Sequence, residues 1–303
     1  MNIAAVDAAA EAGTTPADVA LPDIVLSDAA LAGAAVAAMR DELEVYPKPG
    51  LVSPVDSGAH ADMDFALMCR SAESLRRPFA LIAAAGRAAL TFGQALAPLG
   101  REAERAMLQA TGGINTHRGA IFSLGLVVAA IARSQSTAAS NAAALTADAV
   151  HATLLRQWGD ALEAHAALGG QAASHGGVVR QKTGIGGARS EAAYGFPSVF
   201  RTGIPVYREA IAAGIDANAA AVQTLFSLME AVDDTTVLYR GGREAGRFVR
   251  SAAAQFLAAG GCTTPDWFDR AERLHRTFVE RNLSPGGCAD LLAATMLVVR
   301  YSG

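Results

Sequence analysis

The sequence is short of cysteine, of aromatic residues, of long apolar runs and of excess positive charge. Only 3 of its 303 residues are cysteine, and Cys69, Cys262 and Cys288 lie far apart. Their odd number and wide spacing exclude a disulfide framework and fit a reducing cytoplasm, and no pair has metal-ligand spacing. Aromatics make up 6% of the chain, against 51% hydrophobic residues in all. Alanine is the commonest residue, which suits small side chains on closely packed helices. The best apolar run, 119–132, is closed by Arg118 and Arg133. It is shorter than the roughly 20 residues of a spanning helix, so no membrane segment is expected. Lys and Arg number 25 against 29 Asp and Glu, a net charge of −4. That balance argues against nucleic acid or an anionic lipid surface as a general partner. The first basic residue, Arg40, follows Asp7, Glu11, Asp18, Asp23 and Asp28. Neither a secretory signal nor an Arg-rich transit peptide has that pattern.

What is present is helical periodicity broken by glycine-rich loops. Residues 1–26 read as a loose leader, and 27–303 as one all-α, bundle-like domain. Ser27 or Asp28 can cap a helix whose Leu31, Ala35, Met39 and Leu43 form one stripe. Pro47 and Pro49 stop it, and a loop follows to Ala61. The spacing predicts helices over 62–77, ended by Pro78, then 79–97, 101–110 and 120–133. Residues 134–145 read as a Ser/Ala linker, either a sub-domain boundary or a surface loop. A helix is expected over 146–168. The glycine-rich stretch 169–205 reads as the longest irregular segment, and such segments are usually functional. Helices resume at about 206–213, 217–233, 241–259, 265–281 and 286–300. No strand series is found, and the loops are expected at one end of the bundle.

Five clusters concentrate glycine and polar residues. In Tyr46-Pro47-Lys48-Pro49-Gly50 the prolines hold the backbone on both sides of a lysine, and a rigidly presented ammonium suits a phosphate. The plain alternative is a solvated loop lysine. In His60-Ala61-Asp62-Met63-Asp64 the two acids beside a histidine suit Mg²⁺, which binds through one or two carboxylates plus substrate phosphates. They are equally good first-turn acids for a helix. The segment 111–119, with Asn115, Thr116, His117 and Arg118, leads into a helix start and makes an anion site. It lacks the spacing of a Walker loop. The fourth cluster, 182–197, carries Arg189 and Glu191, readable as an ion pair, or with Glu191 as a general base or a metal ligand. The fifth joins Asp233-Asp234-Thr235-Thr236 and Arg240 to Ser284-Pro285-Gly286-Gly287 and Asp290. Two adjacent acids at a helix end call for a cation or an arginine nearby, while Ser284 and Pro285 also read as a helix start. His151, His165, His175 and His275 read as ordinary surface or core histidines, and Trp158 and Trp267 as packing anchors.

The strings PKPGLV (47–52), GAHADMD (58–64), NTHRGAIFSLG (115–125), GARSEAAYGFP (187–197), DDTTVLYRGG (233–242) and NLSPGGCADLLA (282–293) occur in that order. Together they resemble the triphosphoribosyl-dephospho-coenzyme A synthase family over about residues 30–300. The resemblance implies an all-α fold and transfer of the triphosphoribosyl group of ATP to 3′-dephospho-CoA, with release of adenine. It also implies that the product becomes the prosthetic group of an acyl-carrier subunit, attached by a further transferase. Ser53 and Asp56 stand where Asp and Asn are common in the family, Arg118 where Lys is, Ser190 where Gly is and Cys288 where Ser is. The first two lean toward the malonate decarboxylase branch over the citrate lyase branch.

Under that resemblance the clusters acquire expected roles. Lys48, Gly50, Asn115, Thr116, Arg118, Arg189, Arg240 and Ser284 are expected to bind substrate. Mg²⁺ is expected on Asp62, Asp64, Asp233 or Asp234. A ribosyl C1″–N bond breaks with oxocarbenium character. His117 or His60 is expected to serve the leaving adenine, and Glu191, with Asp290 in reserve, to act as the base on the attacking hydroxyl. A second copy of the chain is a candidate partner. Two other readings use the same residues: a metal-dependent helical hydrolase of nucleotides or ADP-ribose, and a non-catalytic scaffold for the carrier subunit.

Overall fold

The computed structural model describes residues 26–141, 145–168 and 175–302, and among them every regular element is helical. The expected leader, apart from Leu26, lies outside the described residues, as do 142–144, 169–174 and the His175 side chain. The first half contains α1 (Asp28–Glu44), α2 (Phe65–Ser74), α3 (Arg76–Arg87), α4 (Ala97–Ala110), α5 (Arg118–Asn141) and α6 (Ala147–Ala167). The second contains α7 (His175–Thr183), α8 (Gly187–Ala193), α9 (Ile204–Ala212), α10 (Ala217–Ala231), α11 (Thr235–Ala258), α12 (Trp267–Glu280) and α13 (Gly286–Tyr301). Two π-helical turns, Phe92–Leu96 and Ser198–Gly203, sit before α4 and α9.

Helix α1 forms as its local signals dictate. The Ser27 hydroxyl accepts the Ala30 N–H at 3.1 Å, and Leu31, Ala35, Met39 and Leu43 are all buried. The loop after it is held at Tyr46, whose N–H and carbonyl both bond the Asn218 side chain, at 3.0 and 2.7 Å.

Several boundaries differ from expectation, each for a local reason. The 62–77 helix begins only at Phe65, because the Asp64 carboxylate caps it by accepting the Leu67 N–H at 2.7 Å. The break comes at Leu75, and Pro78 falls in the first turn of α3, where a missing N–H costs no hydrogen bond. Helix α3 stops at Arg87 rather than running to 97, and the chain turns through Ala89 at φ 54°. Helix α5 continues to Asn141, through most of the expected linker. Its Ser136 and Thr137 hydroxyls bond back to the carbonyls of Ala132 and Arg133, both at 3.2 Å. The stretch 169–205 is not irregular where it is described. Its glycines mark breaks between short helices, with positive φ at Gly184, Gly187 and Gly195. Helix α11 starts at Thr235, earlier than expected, and bends at Gly242 (φ 64°, ψ −162°).

Helix α5 is the centre of the fold. Leu124 and the run from Val127 to Ala132 are fully buried, and α3, α6 and α13 pack around them. Its stretch Arg118–Ala138 is in fact long and apolar enough to cross a membrane, but 78% of it is buried inside the protein. Core packing of a helix that is apolar all round accounts for it. Trp158 anchors α6 as expected, donating its indole N–H to the Leu90 carbonyl at 2.9 Å.

Candidate active site

A cavity of about 540 Å³ opens where the N-termini of α5, α11 and α13 converge. That volume is within the usual range for a small-molecule site. The cavity gathers residues from three of the five sequence clusters: Asn115 and Arg118, then Arg189 and Glu191, then Asp233, Asp234 and Asp290.

Asp234 builds the α11 end of the wall. One carboxylate oxygen accepts the N–H groups of Thr236 and Val237, at 2.8 and 3.3 Å, and the Thr236 hydroxyl at 2.6 Å. The other accepts the Cys288 N–H at 2.9 Å, which ties α11 to the start of α13. Asp233 pairs with Arg250. Asp290, on α13, lies against the start of α5, where the Ala120 N–H favours its charged form. Burial, with Glu42 and Asp234 nearby, pushes its carboxyl well above the usual carboxylate range. Burial also raises Glu191, against the opposing effect of its Ser198 hydrogen bonds. A carboxylate with raised affinity for a proton, facing a cavity, is suited to act as a base.

Positive charge faces these acids. Arg118 pairs with Glu104 at 3.1 Å, and Arg101, Arg180 and Arg189 also line the cavity. Arg101, Glu104 and Arg180 line the cavity without being among the site residues that the sequence suggests. Arg101 and Glu104 lie within α4, and Gly100, which precedes Arg101, is a glycine inside that helix rather than part of a glycine-rich loop. The cavity is also lined by Phe92, Phe122 and His165, none of which stood out in the sequence as a site residue.

The remaining expected residues stand outside the cavity wall. Lys48 is 1% exposed, and its ammonium donates to the Glu42 carboxylate at 2.7 Å and to the Glu42 carbonyl at 2.6 Å. It is neither the solvated lysine nor the presented one. At Gly50 a Cβ would stand 1.9 Å from the Leu283 carbonyl oxygen, so this glycine permits a close backbone crossing. His275 fixes the same loop, with Nδ1 2.7 Å from the Lys48 carbonyl oxygen and Nε2 3.0 Å from Asp56. Thr116 and His117 both meet the Ser71 hydroxyl, at 2.6 and 2.7 Å. Burial, then Lys48, pushes the His117 imidazole down to about 3. His60 lies 2.8 Å from the Ser284 hydroxyl and 3.1 Å from the Arg240 guanidinium. Burial and Arg240 push it down to about 4. Arg240 also donates to the carbonyl of Ala59 and to Asn282, each at 2.8 Å. The Thr236 hydroxyl reaches the Ser284 carbonyl at 2.6 Å. This network therefore braces the Asp234 wall from behind. Asp62 is exposed and Asp64 caps α2, and neither lines the cavity.

Among the described residues, no three His, Cys, Asp or Glu side chains converge as a closed metal cage. Mg²⁺ requires only one or two carboxylates plus substrate phosphates. Asp290 and Asp234 fit that need, because their mutual repulsion is what a cation relieves.

A family model for ATP:dephospho-CoA triphosphoribosyl transferases matches residues 28–302. The chain belongs to that family. A relative from Azotobacter vinelandii, named as a probable 2-(5''-triphosphoribosyl)-3'-dephosphocoenzyme-A synthase, is 41% identical over 269 residues, covering 88% of this chain and 89% of its own. A relative from Klebsiella pneumoniae, named as a 2-(5''-triphosphoribosyl)-3'-dephosphocoenzyme-A synthase, is 37% identical over 274 residues, covering 88% and 92%. No solved structure matches the chain. Family membership agrees with the six strings, which lie within the matched span.

Proposed function

We propose that the chain transfers the 5-triphosphoribosyl group of ATP to the 2′-hydroxyl of 3′-dephospho-CoA and releases adenine. The observation that carries this reading is the meeting, in one cavity of a family member, of an arginine set with a carboxylate of raised proton affinity. The arginines Arg101, Arg118, Arg180 and Arg189 hold the triphosphate. Asn115 and the helix-start N–H groups beside it add neutral donors. Glu191 takes the proton of the 2′-hydroxyl as its oxygen bonds to C1″. The C1″–N bond breaks, its electron pair leaves with the adenine nitrogen, and that nitrogen gains one proton.

The triphosphate survives in the product, so the site must orient ribose without placing water in line with a phosphorus. Asp234 and Asp290, with Asp233 beside them, are the residues that would hold Mg²⁺. The ion would supply charge neutralisation for the triphosphate. His60 and His117 act from behind the wall, by positioning. The product passes on to the transferase that loads an acyl-carrier subunit. By Ser53 and Asp56 that subunit belongs to malonate decarboxylase.

A mass-resolved assay with ATP, Mg²⁺ and 3′-dephospho-CoA tests this. Adenine and the triphosphoribosyl adduct are expected together, and only when the acceptor is present. Adenine or ADP formed without acceptor would make the chain a hydrolase. No ATP turnover by folded protein would leave the scaffold reading.

A further inference from the structure

The cavity changes chemistry within one turn of α5. Arg118 stands at its charged part. Phe122 is four residues on, about 6 Å along the helix and on the same face. Around Phe122 the wall is aromatic. The His165 ring lies 5.1 Å from Phe92 in an edge arrangement, and 6.1 Å from Phe122. Phe92 and Leu96 reach this wall from a π-helical turn, Phe92–Leu96. Such turns are rare and cluster at functional sites. Phe122 and His165 are only half-buried, so faces of both remain open to the cavity. Among the described residues none hydrogen-bonds the His165 ring nitrogens.

We propose that Phe92, Phe122 and His165 form the subsite for the adenine ring of ATP, the ring that leaves in the reaction. This rests on the transfer reading above. A flat heteroaromatic ring stacks on such a wall, and a neutral imidazole offers one donor and one acceptor to a purine edge. Burial and Arg189 keep His165 on the neutral side. The acceptor, dephospho-CoA, also carries an adenine and a phosphate chain. The charge next to the wall favours ATP. Four arginines suit a triphosphate better than the two phosphates of the acceptor, and Phe122 sits one turn from one of them. The flexible arm of the acceptor would gain little from a rigid aromatic wall.

Calorimetry on the full chain tests the assignment with three separate probes: ATP, free adenine and 3′-dephospho-CoA. The variants are Phe122→Leu and His165→Leu, which keep apolar volume and remove the aromatic face or the ring nitrogens. Unchanged thermal unfolding establishes that each is folded. Affinity for ATP and adenine is expected to fall about tenfold or more in each, with dephospho-CoA within twofold of wild type. A matching split is expected in the KM values. Loss of dephospho-CoA affinity with ATP unchanged would assign the wall to the acceptor and overturn the proposal. No change for any probe would make the wall packing alone and overturn it equally. Wild-type protein that binds ATP but forms no adduct would remove the transfer reading, while the same binding ratios still decide the base subsite.

Discussion

Glu191 and Ser198 are joined twice across the turn that follows α8. One carboxylate oxygen accepts the Ser198 hydroxyl at 2.9 Å, and the other accepts its backbone N–H at 3.2 Å. The acid is thereby aimed from a fixed frame rather than a free loop. Glu191→Gln keeps an oxygen acceptor for Ser198 and removes the base. Turnover is expected to fall at least about a hundredfold, with ATP binding retained. Because burial raises the Glu191 pKa, the wild-type rate should rise with pH along an acid limb displaced above the ordinary glutamate value. Steady-state rates of both proteins across pH check this, and near-normal turnover in the variant would exclude Glu191 as the base.

Lys48 makes a different prediction from the one its prolines suggest. Its ammonium and the Glu42 carboxylate are both buried and face each other. Lys48→Met leaves an unpaired buried acid, at a cost of about 3–5 kcal/mol. The double variant Glu42→Leu/Lys48→Met should recover most of that stability. In the double variant the KM for ATP should stay close to wild type if the ammonium does not touch phosphate. Denaturant unfolding and ATP kinetics on the three proteins separate the two roles.

These cases show what was legible in the chain. Helix α1 could be read because its cap, its stripe and its prolines are all local signals. Asn115, Arg118, Glu191, Asp234 and Asp290 could be read because glycine-rich helix starts mark where backbone donors are free. The burial of Lys48 is not legible in its own loop because it depends on Glu42, which lies on the preceding helix. Arg101, His165 and Phe122 lie inside helices, where the local pattern does not tell a cavity face from any other. They face the cavity only because α4, α5 and α6 pack as they do, and that is a tertiary fact. Pro78 and the glycines of 184–195 suggest a helix end and a loop, whereas Pro78 lies in the first turn of α3 and the glycines separate short helices. A helix start tolerates proline, and glycine can separate two short helices as readily as it can fill a loop.

Gly119 and Asp290 set the contact between the central helix and α13. A Cβ on Gly119 would stand 1.9 Å from one Asp290 carboxylate oxygen. Gly119→Ala must displace that acid from the cavity wall. Stability is expected to fall by about 1–3 kcal/mol, and turnover by about tenfold or more. Adding Asp290→Ala relieves the clash, so the double variant should regain stability without regaining activity. A double-mutant cycle in both quantities reads the coupling directly. An active, fully stable Gly119→Ala protein would show that the contact has room to spare.

The two neutral histidines behind the wall make stability depend on acid. In the folded protein burial holds His117 down to about 3 and His60 down to about 4, against an ordinary value of 6.5. Below 6.5 the unfolded chain takes up protons that the folded chain refuses. Their contribution is therefore complete above about pH 6.5 and is lost as pH falls toward 4 and then 3. Each histidine contributes a slope of roughly 1.4 kcal/mol per pH unit within its window. The raised acids Glu42, Glu191 and Asp290 act in the opposite sense, so the wild-type curve alone is a sum. The difference between wild type and His117→Gln removes them, since they are common to both. Chemical unfolding of the pair between pH 7 and 4 is expected to converge steadily as the pH falls. Parallel curves across that range would mean that His117 binds its proton as readily in the folded protein as in the unfolded chain.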